Sequence, residues 1–288
     1  MQIVYLNGEF VPLAEARISV LDRGFIFGDG IYEVVPAYRR VPFRWQEHRA
    51  RMRRSLGKIR LADPLDDAGW AHLVGGLIER HPWDDQFIYL QVTRGVARRD
   101  HAFPAAVTPT VFAMASEFKP PTAETAAAGA VAITRADDRW LHCDIKSTSL
   151  LGNVLARQDA ADAGALEAVM FRDGFLTEAS ASNVWVVSGG QLLAPPRDAL
   201  ILEGIRYGLI ETLANEQGIP FAARRISRDE VAGASELLLT SATKEIVPVL
   251  RLDGRPIGDG RPGPVFRKLF DAYQQAKAAA IARGWPPA

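Results

Sequence analysis

Hydrophobic and polar positions along this chain follow two periods. Residues 87–93 carry an apolar side chain at every second position, the period of a half-buried strand, and a strand is therefore predicted there. In residues 47–59 the apolar side chains Met52, Leu56 and Ile59 instead recur at spacings of four and three. Such spacings form one stripe along a helix, so this segment is predicted to be helical.

The same patterns predict elements along the whole chain. Further helices are expected at residues 70–80, 151–163, 204–217 and 264–283, and further strands at residues 31–38, 111–116, 168–172, 175–177, 184–187, 236–240 and 246–252. Asn-Gly at residues 7–8 and Asp-Gly at residues 173–174 predict tight hairpin turns, because both tolerate positive φ angles. Strands and helices are therefore mixed in both halves of the chain.

A break in these patterns predicts a domain boundary. The run Lys-Pro-Pro-Thr at residues 119–122 is followed by an alanine-rich stretch, and paired prolines favour an extended linker. We therefore expect an α+β protein with a smaller domain at residues 1–120 and a larger one at residues 121–288. A 288-residue chain with 48% hydrophobic residues can bury a core in each.

Composition narrows the class of protein. The formal net charge is zero, which gives no indication of a nucleic-acid or anionic-membrane partner. Cys143 is the single cysteine, so an intrachain disulfide is excluded, and with no signal-peptide pattern at residues 1–9 a cytoplasmic location is expected. The histidines and the cysteine have no metal-ligand spacing, so no metal site is predicted.

Two segments could carry chemistry. Lys146 has the apolar sequence neighbours Trp140, Leu141 and Leu151, and burial lowers a lysine pKa so that the neutral amine can attack an aldehyde. A solvated lysine beside a strand end is the alternative. Glu178 precedes a hydroxyl-rich turn at residues 179–183, whose backbone N–H groups could hold an anion. An ordinary serine-rich turn with a solvated glutamate is the alternative there.

Several short motifs together resemble the class IV aminotransferases, which are fold-type IV pyridoxal-phosphate enzymes. They are DRGFIFGDGIYEVV at residues 22–35, EH at 47–48 with Arg51, QVTRG at 91–95, RWL at 139–141, CDIKS at 143–147, LLG at 150–152, TE at 177–178 and SNV at 182–184. Their order and spacing extend the resemblance over nearly the whole chain. It implies an N-terminal α/β sandwich and a C-terminal domain with a barrel-like sheet.

The resemblance also implies roles for individual residues. Lys146 matches the lysine that bonds covalently to pyridoxal 5'-phosphate and then moves a proton. Glu178 matches the carboxylate that pairs with the pyridine nitrogen of the cofactor, whose protonated ring accepts electrons. Arg51 matches the arginine that grips the cofactor phosphate, because the donors of a guanidinium pair with phosphate oxygens.

The phosphate site of the family also falls at the start of the helix predicted from residue 204. Ile205 and Arg206 would offer the unsatisfied N–H groups of a helix N-terminus to the phosphate. The chain departs from the family pattern here, since Arg206 and Tyr207 follow Ile205 where many relatives have Thr-Arg, and Ala242 replaces a phosphate-binding threonine. Arg206, Ser241 or Thr243 could supply the missing contact.

The branch of the family is indicated by Arg99 and His101. They match an Arg-x-His pair of the D-amino acid aminotransferases, in which the pair is lent by the partner subunit and, with Tyr32, binds the substrate α-carboxylate. An exposed basic loop is the alternative. This branch implies a homodimer that exchanges amino groups between a D-amino acid, typically D-alanine, and a 2-oxo acid, typically 2-oxoglutarate.

Three other activities of the same fold remain open. A branched-chain L-amino acid aminotransferase would have no use for Arg99 and His101. An aminodeoxychorismate lyase-type enzyme would release pyruvate without an acceptor, and an R-selective amine transaminase would accept amines that lack a carboxylate. A protein that binds the cofactor without catalysis has little support, because Lys146 and Glu178 are both present.

Overall fold

The structure is a computed structural model and describes residues 2–285. The chain forms two compact units, one of Met1–Lys119, Ile145–Ser149 and Ala279–Ala288, the other of Pro120–Asp144 and Leu150–Ala278. Lys146 thus groups with the first unit, whereas the sequence placed it in the C-terminal domain. The reason is backbone pairing, since the segment around Lys146 bonds to a strand of the first unit.

The first unit is a sheet with two long helices. Its elements are β1 (Ile3–Leu6), β2 (Glu9–Pro12), α1 (Arg23–Phe27), β3 (Gly30–Tyr38), β4 (Val41–Pro42), α2 (Trp45–Lys58), α3 (Asp67–Glu79), β5 (Gln86–Thr93) and β6 (Thr110–Glu117). The six strands are antiparallel in the order β2-β1-β6-β5-β3-β4. At the first turn Asn7 has a φ of 49° and Gly8 a φ of 106°, as the Asn-Gly pair predicts.

The core of the first unit lies between this sheet and α2 and α3. Ile31 and Val35 from β3 and Leu90 from β5 join Met52 and Trp70 from the two helices in one buried cluster. Burial of such side chains stabilises the unit by about 25 cal/mol per Å² of apolar surface. The strand alternation predicted for residues 87–93 is therefore the alternation between this core and the opposite face of the sheet.

The second unit contains nine strands and five helices within the described residues. They are α4 (Ala123–Ala127), β7 (Ala130–Ala136), α5 (Leu151–Asp162), β8 (Glu167–Arg172), β9 (Phe175–Ala179), β10 (Asn183–Ser188), β11 (Gln191–Ala194), α6 (Ile205–Glu216), β12 (Phe221–Ala223), α7 (Arg228–Ala232), β13 (Glu236–Ser241), β14 (Glu245–Leu252), β15 (Arg255–Pro256) and α8 (Pro264–Arg283). The sheet order is β12-β11-β10-β13-β14-β7-β8-β9, with β15 paired to β14.

This second sheet curls around its own core. Side chains from strands that are far apart in the sheet order, such as Leu193, Leu237, Ala132 and Leu176, belong to one buried cluster. They could not all meet if the sheet were flat, so the sheet is barrel-like. The alanine-rich stretch contains β7, which the sequence did not predict because alanine is a poor strand former. Parallel pairing with β14 and β8 on its two sides imposes the strand.

The longest helix illustrates how local signals set element ends. The helix α8 begins at Pro264, whose missing N–H costs nothing in a first turn, and ends at Arg283 before Gly284, which has a φ of 74°. Its buried residues include Leu269 and Tyr273. Among residues 2–285 no helix combines the length and the apolar character that crossing a membrane requires.

Candidate active site

The backbone around Lys146 is held on both sides. Its carbonyl accepts a hydrogen bond from the N–H of Tyr32 at 3.0 Å, and its own N–H donates to Oγ of Ser55 at 3.2 Å. Ser147 forms a bridge with Ile31 of β3. A short segment is thereby fixed against a strand and a helix of the first unit, which gives the lysine side chain a defined starting point.

The side chain of Lys146 is half-buried and lies over an aromatic ring. Its Nζ is 4.1 Å from the centroid of Tyr32, and Tyr32 in turn stacks on Tyr89 at 5.8 Å. Within residues 2–285 the structure records no ion pair of this amine. Apolar side chains around Lys146 were expected to come from its sequence neighbours, and this expectation is wrong, because Leu141 and Leu151 are exposed. The contact comes instead from the ring of Tyr32 in β3.

Arg51 forms a buried network with an acid that sequence reasoning did not assign. Its Nε and Nη2 donate to the two carboxylate oxygens of Glu33 at 2.8 and 2.7 Å. Nδ1 of His48 lies 2.7 Å from the same carboxylate. The sequence contains a pattern that could have indicated Glu33. It lies two residues from each of the buried residues Ile31 and Val35 on the same strand, so its side chain faces the core and its charge needs a partner.

The charge of Glu33 is stabilised by this network. Burial alone would raise the pKa of the Glu33 carboxyl, but the charge and hydrogen bonds of Arg51, with a hydrogen bond from His48, hold it well below its ordinary value. Arg51, predicted to grip a phosphate, thus uses two of its nitrogens for Glu33.

Glu178 lies at the end of β9 and is buried. One carboxylate oxygen accepts a hydrogen bond from Nη1 of Arg139 at 2.6 Å, and the other accepts from the N–H of Leu202 at 3.1 Å. Nδ2 of Asn183 lies 3.4 Å from that second oxygen. Burial raises the pKa of Glu178 to about 7, although Arg139 and the N–H of Leu202 oppose the rise. The group therefore titrates near neutrality.

Arg139 forms ion pairs with two acids. It is part of a family motif in the sequence, but no role was predicted for it. Its Nε and Nη2 donate to the carboxylate of Asp137, each at 2.9 Å. Asp137 also accepts from Oγ1 of Thr177 at 2.7 Å and pairs with Arg172 at 3.1 Å. Burial alone would lower the pKa of Arg139, but the two carboxylates raise it above its ordinary value. Arg139 is therefore a permanent cation.

The helix α6 begins in a position suited to an anion. Its N-cap is Gly204, which provides no side-chain cap for the first N–H groups, those of Ile205 and Arg206. A Cβ on Gly204 would lie 2.1 Å from Oδ1 of Asn183, so only glycine allows this close approach. A 12-residue helix also directs the positive end of its dipole here.

Three of the predicted phosphate-site residues are neighbours. Arg206 is buried, its Nε donates to the hydroxyl of Tyr273 at 3.2 Å, and its Nη2 lies 3.5 Å from the carbonyl oxygen of Ala242. Ser241 adjoins Ala242, and its Oγ accepts from the N–H of Lys244 at 3.1 Å. Arg206 thus links the start of α6 to the turn between β13 and β14. This turn contains Ala242, where the sequence lacks the threonine that binds the phosphate in relatives.

Arg99 and His101 lie on a loop of the first unit and contact a different ring from Tyr32. The guanidinium carbon of Arg99 is 5.3 Å from the ring centroid of Phe27, and the ring of His101 is 5.5 Å from it. Tyr32 instead contacts Tyr89. Arg99 and His101 thus share one aromatic ring and Tyr32 lies against another, and their joint role in binding a carboxylate stays a prediction.

Comparison with known proteins identifies the family. Residues 30–252 match the family model described as amino-transferase class IV. The chain belongs to this family. It is 38% identical to D-alanine aminotransferase of Bacillus licheniformis over 95% of this chain and 96% of that protein. It is equally 38% identical to the enzyme of that name from Staphylococcus aureus strain N315, over 96% and 98% of the two chains.

Solved structures of class IV aminotransferases share the fold. A branched-chain amino acid aminotransferase from T.th., complexed with N-(5'-phosphopyridoxyl)-L-glutamate, superposes with a TM-score of 0.89 at 27% identity. The match covers 98% of this chain and 95% of that one. The expected fold-type IV architecture, with an α/β sandwich and a barrel-like sheet, is therefore confirmed.

Proposed function

We propose that this class IV aminotransferase moves amino groups between a D-amino acid, such as D-alanine, and a 2-oxo acid, such as 2-oxoglutarate. Relatives at 38% identity over nearly the whole chain are D-alanine aminotransferases, which supports the D-amino acid branch. The observation that carries the proposal is Lys146, whose amine lies over Tyr32 on a fixed backbone and has no ion pair within residues 2–285. An amine that no carboxylate pairs with is available to bond to an aldehyde group.

Enzymes of this class use pyridoxal 5'-phosphate, and the described residues suit it. The start of α6 offers N–H groups and the dipole to a phosphate, and its N-cap Gly204 has no side chain that would occupy those N–H groups. Glu178 is a buried acceptor whose pKa of about 7 fits pairing with a ring nitrogen. Lys146 supplies the amine. We propose that Ile205, Arg206, Ser241, Ala242 and Arg51 hold the phosphate.

When bound, the cofactor supplies an electron sink for the carbanion that forms at the substrate Cα. The protein residues supply the rest. Lys146 would hold the cofactor covalently through its amine, and the same amine would carry a proton to and from the substrate Cα. Glu178 would hold a proton at the ring nitrogen of the cofactor, and Arg139 keeps the Glu178 carboxylate in place through its 2.6 Å hydrogen bond.

We assign substrate binding to Tyr32, Arg99 and His101, with the last two acting on the partner copy of a cytoplasmic homodimer. A carboxylate gripped by arginine fixes which face of Cα meets the lysine, and so fixes handedness. The exposed apolar side chains Val20 and Phe25, which flank the start of α1, support a protein partner at this surface.

A branched-chain L-amino acid aminotransferase is the alternative, and it has less support, because the solved structure of that name is 27% identical to this chain whereas the D-alanine aminotransferases are 38% identical. A donor panel separates the two: we expect D-alanine with 2-oxoglutarate to give pyruvate and D-glutamate, and L-leucine to give no product. A preference for L-leucine would reject the D-amino acid assignment and leave the family unchanged.

Lys146→Ala tests the chemistry. Loss of the nucleophile and proton carrier should lower turnover by roughly a thousandfold or more. Borohydride reduction of the holoprotein followed by peptide mapping should place the label on Lys146. The exposed Lys268 gives a matched control, since Lys268→Ala should keep turnover and label. A label on another lysine, or full turnover of the Lys146→Ala protein, would reject the proposal.

A further inference from the structure

A buried arginine lies beneath the loop that carries Arg99 and His101. Arg23 is 3% exposed, and its Nε pairs with Oδ2 of Asp29 at 2.8 Å. Its Nη1 donates to the backbone carbonyl of Asp100 at 2.5 Å and reaches that of Ala102 at 3.4 Å. One guanidinium, from the first residue of α1, thus bonds to the backbone on both sides of His101.

A second arginine anchors the far end of the loop. Arg94 pairs with the same Oδ2 of Asp29 at 2.8 Å, and Nη2 of Arg94 donates to the carbonyl of Ile59 at 2.6 Å. Its guanidinium carbon lies 3.6 Å from the ring centroid of Phe103, and that of Arg60 lies 4.9 Å from it. Phe103 is therefore in contact with two cations, of which Arg94 is buried and bonded to Asp29.

Phe27 supports the two functional side chains directly. Arg99 and His101 both contact its ring, at 5.3 and 5.5 Å from the centroid, and the guanidinium carbon of Arg23 lies 4.8 Å from the same centroid. A cation over an aromatic face is attracted by the negative potential of the ring. The contact is weak, but it restricts the directions in which a long arginine side chain can point.

The helix that carries Arg23 and Phe27 is itself fixed to the sheet. The side chain of Asp22 accepts hydrogen bonds from the N–H of Gly24 at 2.8 Å, from Oγ1 of Thr93 at 2.7 Å and from Oγ1 of Thr110 at 2.6 Å. A Cβ on Gly24 would lie 2.2 Å from Cγ2 of Thr93, so the helix packs too closely for a larger residue. Arg23 therefore extends from a rigid base.

We propose that Arg23 and Phe27 are positioning residues that determine how the Arg99–His101 loop binds the carboxylate of the substrate. This inference rests on the proposed function. The loop has no regular secondary structure, so its geometry depends on these contacts. Loosening them would let the loop sample other positions, and the substrate would have to order it again on binding. The effect should fall on KM for carboxylate substrates more than on kcat.

The loop can be tested without any turnover. In Arg23→Gln, amide hydrogen exchange of the peptide covering residues 98–103 should be about tenfold faster than in the wild-type holoprotein, because local opening becomes easier. Arg17→Gln is the matched control, because Arg17 is exposed and, among residues 2–285, donates only to the nearby carbonyls of Ala14 and Ala16. Exchange of the peptide 98–103 in this variant should match the wild type. Unchanged exchange in Arg23→Gln would overturn the proposal.

Kinetics test the consequence for substrate binding. Phe27→Leu keeps an apolar side chain but removes the ring, and it gives a second variant if Arg23→Gln does not fold. In either variant KM for D-alanine should rise about tenfold while kcat stays within about twofold. An unchanged KM, or a fall confined to kcat, would overturn the proposal. If the wild type does not transaminate D-alanine, the proposed function fails, whereas faster loop exchange would still show the anchoring.

Discussion

Two buried glutamates in this chain, each bound to an arginine, differ in their affinity for a proton. Glu33 receives two hydrogen bonds from Arg51 and has His48 at 2.7 Å, and its pKa lies well below the ordinary value. Glu178 receives one hydrogen bond from Arg139, and its pKa is raised to about 7. Burial raises the pKa of both, so burial does not explain the difference.

The two pKa values differ because the arginine beside each glutamate distributes its hydrogen bonds differently. Arg51 gives two nitrogens to Glu33, whereas Arg139 gives two nitrogens to Asp137 and one to Glu178. The negative charge of Asp137 also raises the pKa of Glu178 directly. In the first unit the glutamate–arginine pair therefore makes Glu33 a permanent anion that holds α2 to β3. In the second unit the same pair of residue types leaves Glu178 able to exchange a proton.

The largest expected effect comes from removing the arginine of the first network. Arg51→Gln leaves Glu33 buried with His48 alone, and losing one partner of a buried pair costs about 3–5 kcal/mol of unfolding free energy. The loss should be full at pH 8 and smaller at pH 5, because the pKa of Glu33 then rises and protonation relieves the buried charge. Urea unfolding at both pH values measures it.

The control for this prediction lies on the same helix. Arg54 is exposed on α2, so Arg54→Gln should change the unfolding free energy by less than about 0.5 kcal/mol at either pH. An Arg51→Gln protein that lost the same stability at pH 5 and pH 8 would show that Glu33 does not become protonated there.

Glu178 should give stability the opposite pH dependence from an ordinary acid. Its folded pKa of about 7 is above the ordinary value of 4.5, so between these values the native state holds a proton that the unfolded chain has released. The stabilisation is complete below pH 4.5 and is lost as the pH rises through 7. Glu178→Gln removes this loss, which amounts to about 3 kcal/mol.

Urea unfolding of the cofactor-free protein from pH 5 to pH 8 checks this prediction. The wild type should lose stability relative to Glu178→Gln over that range. Glu216→Gln is the control, because Glu216 is exposed at the end of α6, so its replacement should change stability little at any pH in this range. Parallel curves for the wild type and Glu178→Gln would show that Glu178 is already ionised at pH 5.

Sequence patterns predicted the elements whose signals are local. The helix α8 has its predicted bounds because proline and glycine act within a residue or two of a helix end. The strand β7 and the short helix α1 were missed for the opposite reason. Strand neighbours that are distant in sequence impose β7, and α1 is fixed by Thr93 and Thr110 through Asp22.

The same division applies to the candidate site. Family resemblance indicated Lys146, Glu178 and Arg51, because short motifs surround them. Asp137 remained unassigned, since nothing in its sequence context shows that it shares an arginine with Glu178. Its effect depends on atoms brought together from β9 and from the loop after β7, and only the folded chain contains that arrangement.

Asp137→Asn gives the smallest of these effects and tests the division of the cation most directly. Removing the Asp137 charge leaves Arg139 with one carboxylate and removes a repulsion, so the pKa of Glu178 should fall by about one unit, equivalent to about 1.4 kcal/mol. Carbon-13 NMR of the Glu178 carboxyl in the cofactor-free protein measures the midpoint. Asp138→Asn is the matched control, because Asp138 is the adjacent acid but is exposed and pairs with Arg135. A midpoint near 7 in both variants would show that burial alone sets the affinity of Glu178 for its proton. The difference in pKa between Glu178 and Glu33 would then come from Arg51 and His48, and not from the sharing of Arg139 with Asp137.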